Sequence, residues 1–453
     1  MPAICAIAAV GHRKTTHFVL LIRCSRTGLS NVIASCMMLT GLLLTSYLNG
    51  CAVFQSHWPH GSRDHAYIHY WPAPPNSKQM RLAVKDNIDI KGAVTSAGSE
   101  YLIKNSPPAS TDADCLASAR KRNVQIVGKT NLSEFGVAPS GLNGYFGTPK
   151  NPFNKQRRLI PGGSSSGSAV AVANGSADVA FGTDTAGSVR VPAACCGVVG
   201  LKTTFGLISN KGIFPIEPKH LDTVGPMGKD VAHVAQGMDL LQNGFETQYR
   251  MAVAAKPSAK KIKIGRLYLS GTDPEIDKAV DEALGRAHFQ VIKLRQGFKS
   301  KWDRATRDGN TVAAAGAWIS CRAYIRRGVQ PRTIAAIVLG RVLYPTRYRR
   351  ALRSRAQWQH TIGQIFEKVD FIALPTLQDL PPTIPSVGKI VLLEARVLSM
   401  QNTVAVNFAG NPALAIPIPI HGRTAPVTSL QLVGPRLSEA ALLNAGRLIE
   451  AER

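Results

Sequence analysis

Three stretches of this chain carry side chains whose types and spacing suit acyl transfer. They are Ala83-Val84-Lys85-Asp86-Asn87, then Pro161-Gly162-Gly163-Ser164-Ser165-Ser166-Gly167-Ser168, then Gly182-Thr183-Asp184-Thr185-Ala186-Gly187-Ser188-Val189-Arg190. Glycine and serine in such runs let the backbone turn tightly and aim consecutive N–H groups at one place. A serine that attacks an amide needs a base, a proton path to the leaving amine, and donors for the developing oxyanion. Ser188 follows Thr185-Ala186-Gly187, whose small side chains permit successive N–H groups to converge. Ser164 lies in a Gly/Ser turn at a helix start, placed to relay a proton. Lys85 can act as base only when neutral, so burial and nearby positive dipoles must lower its pKa. The chain reads first as a serine hydrolase that does without histidine.

These groups need rigid elements behind them. Residues 81–88 read as a strand that carries the lysine, and a helix near 112–121 is followed by a buried strand at 124–127. The Ala/Val repeats of 168–174 suit a buried helix that starts in the Gly/Ser turn, and 179–181 is a short strand ending at the second motif. Further on, 262–267 and 289–294 read as strands around a helix at 274–286, with Asp273 as its N-cap and Pro274 in its first turn. Strands alternating with helices argue for an α/β sheet covered on both faces. No internal repeat interrupts it, so residues 81–453 are expected to form one large domain.

The composition limits the alternatives. A chain of 453 residues with 45% hydrophobic content has ample core and is not disordered. Lys+Arg of 54 against Asp+Glu of 28 gives a formal charge of +26, a surface that favours anionic lipid, acidic cell-wall polymers or nucleic acid. Ten arginines and no acidic residue fall between positions 322 and 355. Ile334, Val338 and Val342 recur there at helical spacing, which favours a solvated basic face of packed helices over a nucleic-acid surface. The eight cysteines show neither zinc-ligand spacing nor a disulfide framework, and no metal or organic cofactor is expected.

The first 51 residues read as a separate signal segment. Arg13, Lys14, Arg23 and Arg26 precede a stretch without formal charge from 27 to 62, centred on Met37-Met38-Leu39-Thr40-Gly41-Leu42-Leu43-Leu44. That order describes a secretory signal. Leu48-Asn49-Gly50-Cys51 resembles a lipobox, with Cys51 as the lipidated residue. An exported, membrane-anchored lipoprotein is the expectation, against an uncleaved anchor or a cytoplasmic chain. Residues 52–80, with Trp58, Pro59, Trp71, Pro72, Pro74 and Pro75, suit a tether or irregular lead-in.

Taken together, the motifs resemble those of the amidase signature family of serine hydrolases. The likeness covers roughly 81–450 and is strongest from 81 to 235. It includes Gly128-Lys129-Thr130-Asn131-Leu132-Ser133-Glu134-Phe135, Gly200-Leu201-Lys202-Thr203-Thr204 and Leu221-Asp222-Thr223-Val224-Gly225-Pro226-Met227, with weaker echoes at 370–376 and 407–417. The resemblance implies a single large twisted mixed sheet flanked by helices. It makes Ser188 the nucleophile, Ser164 the bridging serine on a cis peptide bond, and Lys85 the base. It assigns the oxyanion hole to the backbone N–H groups of Thr185, Ala186, Gly187 and Ser188. The 24-residue separation of Ser164 and Ser188 matches the family spacing. Ser166 and Ala186 stand where glycine is usual.

Competing readings are weaker. Gly163-Ser164-Ser165-Ser166-Gly167 also fits a G-x-S-x-G elbow with Ser165 as nucleophile, but that leaves the lysine motif unexplained. The expected activity is hydrolysis of a small-molecule carboxamide through an acyl-enzyme. The alternatives are the glutaminase subunit of a glutamyl-tRNA amidotransferase and a catalytically silent surface lipoprotein that binds polyanions.

Overall fold

The strand that carries the lysine, β2 (Arg81–Lys85), is buried after its first residue. Its side chains alternate between two cores, with Leu82 and Val84 in one and Ala83 in the other. This period of two is what a sheet covered on both faces demands. The computed structural model describes residues 63–122, 124–153, 158–256, 258–423 and 425–452.

On either side of β2 lie β3 (Gln125–Thr130) and β4 (Val179–Asp184), both parallel to it. An antiparallel run follows β4: β6 (Thr223–Gly228), β5 (Val199–Lys202), β10 (Ala413–Pro419), β11 (Val427–Val433) and β9 (Phe371–Pro375). Parallel pairing resumes with β7 (Lys263–Arg266) and β8 (Gln290–Lys293). With β1 (Tyr67–Tyr70) on β3, the order is β1-β3-β2-β4-β6-β5-β10-β11-β9-β7-β8, one mixed sheet of eleven strands among the described residues, as the resemblance implied.

Helices cover both faces. Val231–Leu241, Pro274–Arg286 and Glu439–Glu450 pack Val234, Met238, Val280, Leu284 and Leu442 against Leu414, Ile416 and Leu430. Asp273 caps the second of these by accepting from Glu275 N, as expected. On the other face, Ser166–Ala173 and Arg190–Cys196 bury Val170, Val191 and Ala193 with Ala415. The helices Gln296–Cys321 and Arg349–Phe366 pack Trp302, Val312, Trp358 and Ile362 against β9 and Phe408. Each fully buried aliphatic side chain of this kind contributes about 1.5–3 kcal/mol.

Two local expectations differ from the structure. The lead-in expected at 52–80 contains β1, which pairs antiparallel with β3 from Tyr67↔Thr130 to Tyr70↔Gly128. Tyr67 is buried and its hydroxyl meets Ser176 Oγ at 3.0 Å, so burial of one aromatic outweighs the neighbouring prolines. The helix expected at 112–121 opens as a 3-10 turn, Asp114–Leu116, before the short helix Ala117–Lys121. Residues 1–62, including the signal segment and Cys51, lie outside the described residues.

Candidate active site

Lys85 closes β2, wedged between β3 and β4, and no part of it reaches solvent. Its Nζ is 2.8 Å from Ser164 Oγ and 2.8 Å from Thr183 Oγ1. Asn87 Nδ2 donates to the same Thr183 hydroxyl at 3.0 Å. Burial drives the amine from an ordinary 10.5 down to about 7, although the carboxylates of Asp184 and Asp222 pull the other way. Desolvation penalises the ammonium more than those distant charges restore it. An amine in this setting gives up its proton near neutral pH.

Ser164 follows a cis peptide bond from Gly163, the geometry the resemblance implied. The turn is held tightly from outside: Gly163 N donates to Pro139 O at 2.7 Å, and Ser133 N donates to Ser164 O at 3.2 Å. A Cβ on Gly141 would lie 2.2 Å from Gly162 O, so glycine is required where the two loops cross. Ser164 is fully buried, whereas Ser188 is partly accessible. The two loops meet through Ser165 N, which donates to Ser188 O at 3.2 Å. Ser165 is itself buried, with its hydroxyl on Thr183 O, which does not suit the exposed nucleophile of an elbow.

The loop after β4 is organised around Asp184. Its carboxylate accepts from Gly187 N at 2.7 Å, Val189 N at 3.2 Å, Asn407 Nδ2 at 2.7 Å, and from Arg190 Nε and Nη2 at 3.1 Å each. Burial alone would raise its pKa, but the Arg190 guanidinium and these donors hold the carboxyl well below the usual range. Arg190 is also buried and gives its remaining N–H groups to Gln431 Oε1, Thr403 O and Asn407 Oδ1. Beside this network, Thr185 Oγ1 donates to Asp222 Oδ1 at 2.6 Å, and Asp222 accepts from Ile216 N and Glu217 N. Burial raises the Asp222 carboxyl.

Of the residues singled out from sequence, the structure brings Lys85 and Ser164 into direct contact and sets the Ser188 loop against the Ser164 turn. The four backbone groups expected at the oxyanion hole are not equivalent, because Gly187 N–H is turned inward to Asp184. Sequence reasoning missed Thr183, Thr403, Asn407 and Gln431. Thr183 and Asn407 were inside quoted motifs but carried no chemical signature of their own. The arginine-rich stretch folds as packed helices, and two of its arginines are structural: Arg332 Nη2 donates to Leu142 O and Arg355 Nε to Phe408 O. Among the described residues, no group of three His, Cys, Asp or Glu side chains is placed to hold a metal ion.

Comparison with known proteins agrees with this geometry. The family model Amidase matches residues 80–443. Over 411 residues the chain is 33% identical to a glutamyl-tRNA(Gln) amidotransferase subunit from Halobacterium salinarum, covering 82% of this chain and 94% of the relative. It is 32% identical over 386 residues to the 2-amino-5-chloromuconic acid deaminase of Comamonas testosteroni, covering 82% and 81%. The crystal structure of the corresponding glutamyl-tRNA(Gln) amidotransferase subunit from Thermotoga maritima shares the fold, with a TM-score of 0.69 at 24% identity over 85% of this chain and 86% of that one. The chain belongs to the amidase signature family of enzymes, which hydrolyse carbon–nitrogen bonds.

The expectation of an exported, lipid-anchored protein does not stand. Relatives that match more than 80% of the chain include subunits of glutamyl-tRNA(Gln) amidotransferases. Among the described residues no helix is long and apolar enough to cross a membrane. The reading as a silent surface lipoprotein falls with the anchor. The apolar run before Cys51 misled because a short uncharged segment behind basic residues has the composition of a signal whatever its fate.

Proposed function

We propose that this enzyme hydrolyses the C–N bond of a small carboxamide through Ser188 as nucleophile, Ser164 as proton relay and Lys85 as base. The observation that carries the reading is the buried contact of Lys85 Nζ with Ser164 Oγ at 2.8 Å, with the amine lowered to about 7. Neutral Lys85 takes a proton from Ser164 as Ser164 takes one from Ser188. The Ser188 oxygen then bonds to the carbonyl carbon, and the negative charge that develops on the carbonyl oxygen is met by backbone N–H groups of the 185–188 loop. Collapse breaks the C–N bond while the relay runs backwards and protonates the departing amine. Water repeats the sequence on the acyl-enzyme, releasing the acid and restoring Ser188.

The first test is a panel of aliphatic, aromatic and amino-acid amides, with ammonia or amine release as the readout. Turnover of at least one amide that is lost in Ser188→Ala supports the reading; an unchanged rate in that variant sinks it.

A second reading is favoured by the relatives named as amidotransferase subunits: L-glutamine as the amide, with ammonia passed to a partner protein. Hydrolysis of L-glutamine and stable co-purification with such subunits support it. Efficient hydrolysis of bulky aromatic amides by the isolated chain, with none of glutamine, excludes it.

A further inference from the structure

In a trans peptide group the C=O and the N–H lie in one plane and point in opposite directions. The Ala186–Gly187 peptide is held at both ends. Thr403 Oγ1 donates to Ala186 O at 2.5 Å, and Gly187 N donates to Asp184 Oδ1 at 2.7 Å. The flanking groups differ: among the described residues, the N–H groups of Thr185, Ala186 and Ser188 have no hydrogen-bond partner, but Thr185 is buried, with its hydroxyl on Asp222. Ala186 and Ser188 are also the two residues of this loop left partly accessible.

Thr403 is placed for this and little else. It occupies the N-cap position of the helix Val404–Ala409, where a threonine hydroxyl ordinarily accepts from the first turn, yet it makes no side-chain cap bond. Its hydroxyl is spent on Ala186 O, and its own carbonyl accepts from Arg190 Nη1 at 3.2 Å. Gly187 has φ 136°, and a Cβ there would lie 2.2 Å from Thr403 Oγ1, so the hydroxyl sits hard against the loop.

We propose that the oxyanion donors are the N–H groups of Ala186 and Ser188 alone, and that Thr403 is the positioning residue that fixes this division by anchoring the Ala186 carbonyl. Without the anchor, the Ala186–Gly187 peptide is held only through Gly187 N–H on Asp184, and rotation of the plane then points a carbonyl oxygen where negative charge must develop. Thr403 therefore acts on the transition state and leaves ground-state binding alone. The inference rests on Ser188 being the nucleophile.

The test uses a fluorophosphonate probe, which needs no knowledge of the natural substrate, with the rate of Ser188 labelling followed to saturation. Thr403→Val is expected to lower the maximal labelling rate about 10- to 100-fold, less than the roughly 10²–10³ lost when a donor is removed outright. The half-saturating probe concentration should stay within about twofold, and Thr403→Ser, which keeps the donor, should label within about threefold of the parent. Thr403→Ala is read in parallel, with the same expectation, should the valine variant not fold. A parental rate in Thr403→Val, equal losses in Thr403→Ser and Thr403→Val, or a loss carried wholly by half-saturation overturns the proposal. Labelling that persists in Ser188→Ala sinks the nucleophile assignment and the anchor with it. An unlabelled Ser188→Ala beside a fully reactive Thr403→Val sinks the anchor alone.

Discussion

Lys85 and Lys129 lie one residue apart in register on the adjacent parallel strands β2 and β3, Lys85 opposite Thr130 and Lys129 opposite Val84, both fully buried, yet only Lys129 of the two has a counter-ion. Lys129 Nζ is 3.0 Å from Asp86 Oδ1, with Val94 O and Thr95 Oγ1 completing its shell. Lys85 meets two hydroxyls and a carbonyl, and among the described residues no carboxylate lies within ion-pair distance. A buried ammonium needs a partner, and one that lacks it releases its proton. The same side chain thus serves as an ion-pair partner on one strand and, on the next, as an amine whose pKa burial lowers to about 7.

That contrast has a consequence for pH. Lys85 has its pKa lowered to about 7, so the base proposed here is competent above that value and is lost as the pH falls through it. The profile of kcat/KM for an amide should rise roughly tenfold per pH unit below 7 and level off above it. Lys85→Met should remove the limb along with most of the rate. A parental profile that stays flat between pH 5 and 8 contradicts the assignment of the base.

Removing the two ends of the relay should not have equal effects. Ser188→Ala deletes the atom proposed to form the bond, so fluorophosphonate labelling and turnover should vanish. Lys85→Ala leaves the serines in place and should slow both by about 10²–10⁴. Mass spectrometry of the labelled protein checks the site, and adduct on Ser164 or Ser165 in the parent enzyme would reverse the assignment.

How far the sequence could reach is clear from individual residues. Ser164 and Ser188 stood out in the sequence by their glycine- and serine-rich surroundings and Lys85 by the motif around it, while the apolar Val179–Phe181 and the Ala/Val repeats of 168–174 marked most of β4 and of the helix Ser166–Ala173. Thr403 and Gln431 were not legible. They reach Ala186 and Arg190 from more than 200 residues away, through pairing of β10 with β5 and β11, and nothing local marks such a residue. The division of labour among the four N–H groups of 185–188 was equally hidden. It depends on which way each peptide plane faces, and that is set by the Asp184 carboxylate and the Thr403 hydroxyl.

The ion pair of Asp184 with Arg190 should dominate the stability of this region. Both side chains are fully buried, and loss of the carboxylate strands a guanidinium with no counter-charge in contact. Asp184→Asn should cost about 3–5 kcal/mol, read as a lower urea midpoint at unchanged slope. The sign with pH follows from the depressed carboxyl: its stabilisation is complete above about 4, the unfolded value, and disappears as the pH falls towards the folded one. Parent and variant midpoints should therefore converge in strong acid. A midpoint for Asp184→Asn equal to the parent's at pH 7 contradicts this account.

Gly187→Ala tests the loop by crowding it. At φ 136° an alanine is strained whatever its surroundings, at about 1–3 kcal/mol. Its Cβ would also fall 2.2 Å from Thr403 Oγ1 and 2.9 Å from Thr403 Cβ, so the loop must move away from Thr403. Gly175 supplies the control, with φ 72° and nothing within 4 Å of a Cβ, so alanine there is strained without crowding. Gly175→Ala should lose stability and keep its kcat. Gly187→Ala should lose stability and, because the N–H groups of Ala186 and Ser188 move with the loop, at least about 10² in kcat. Equal kcat in the two variants would mean that the position of this loop does not govern the chemistry.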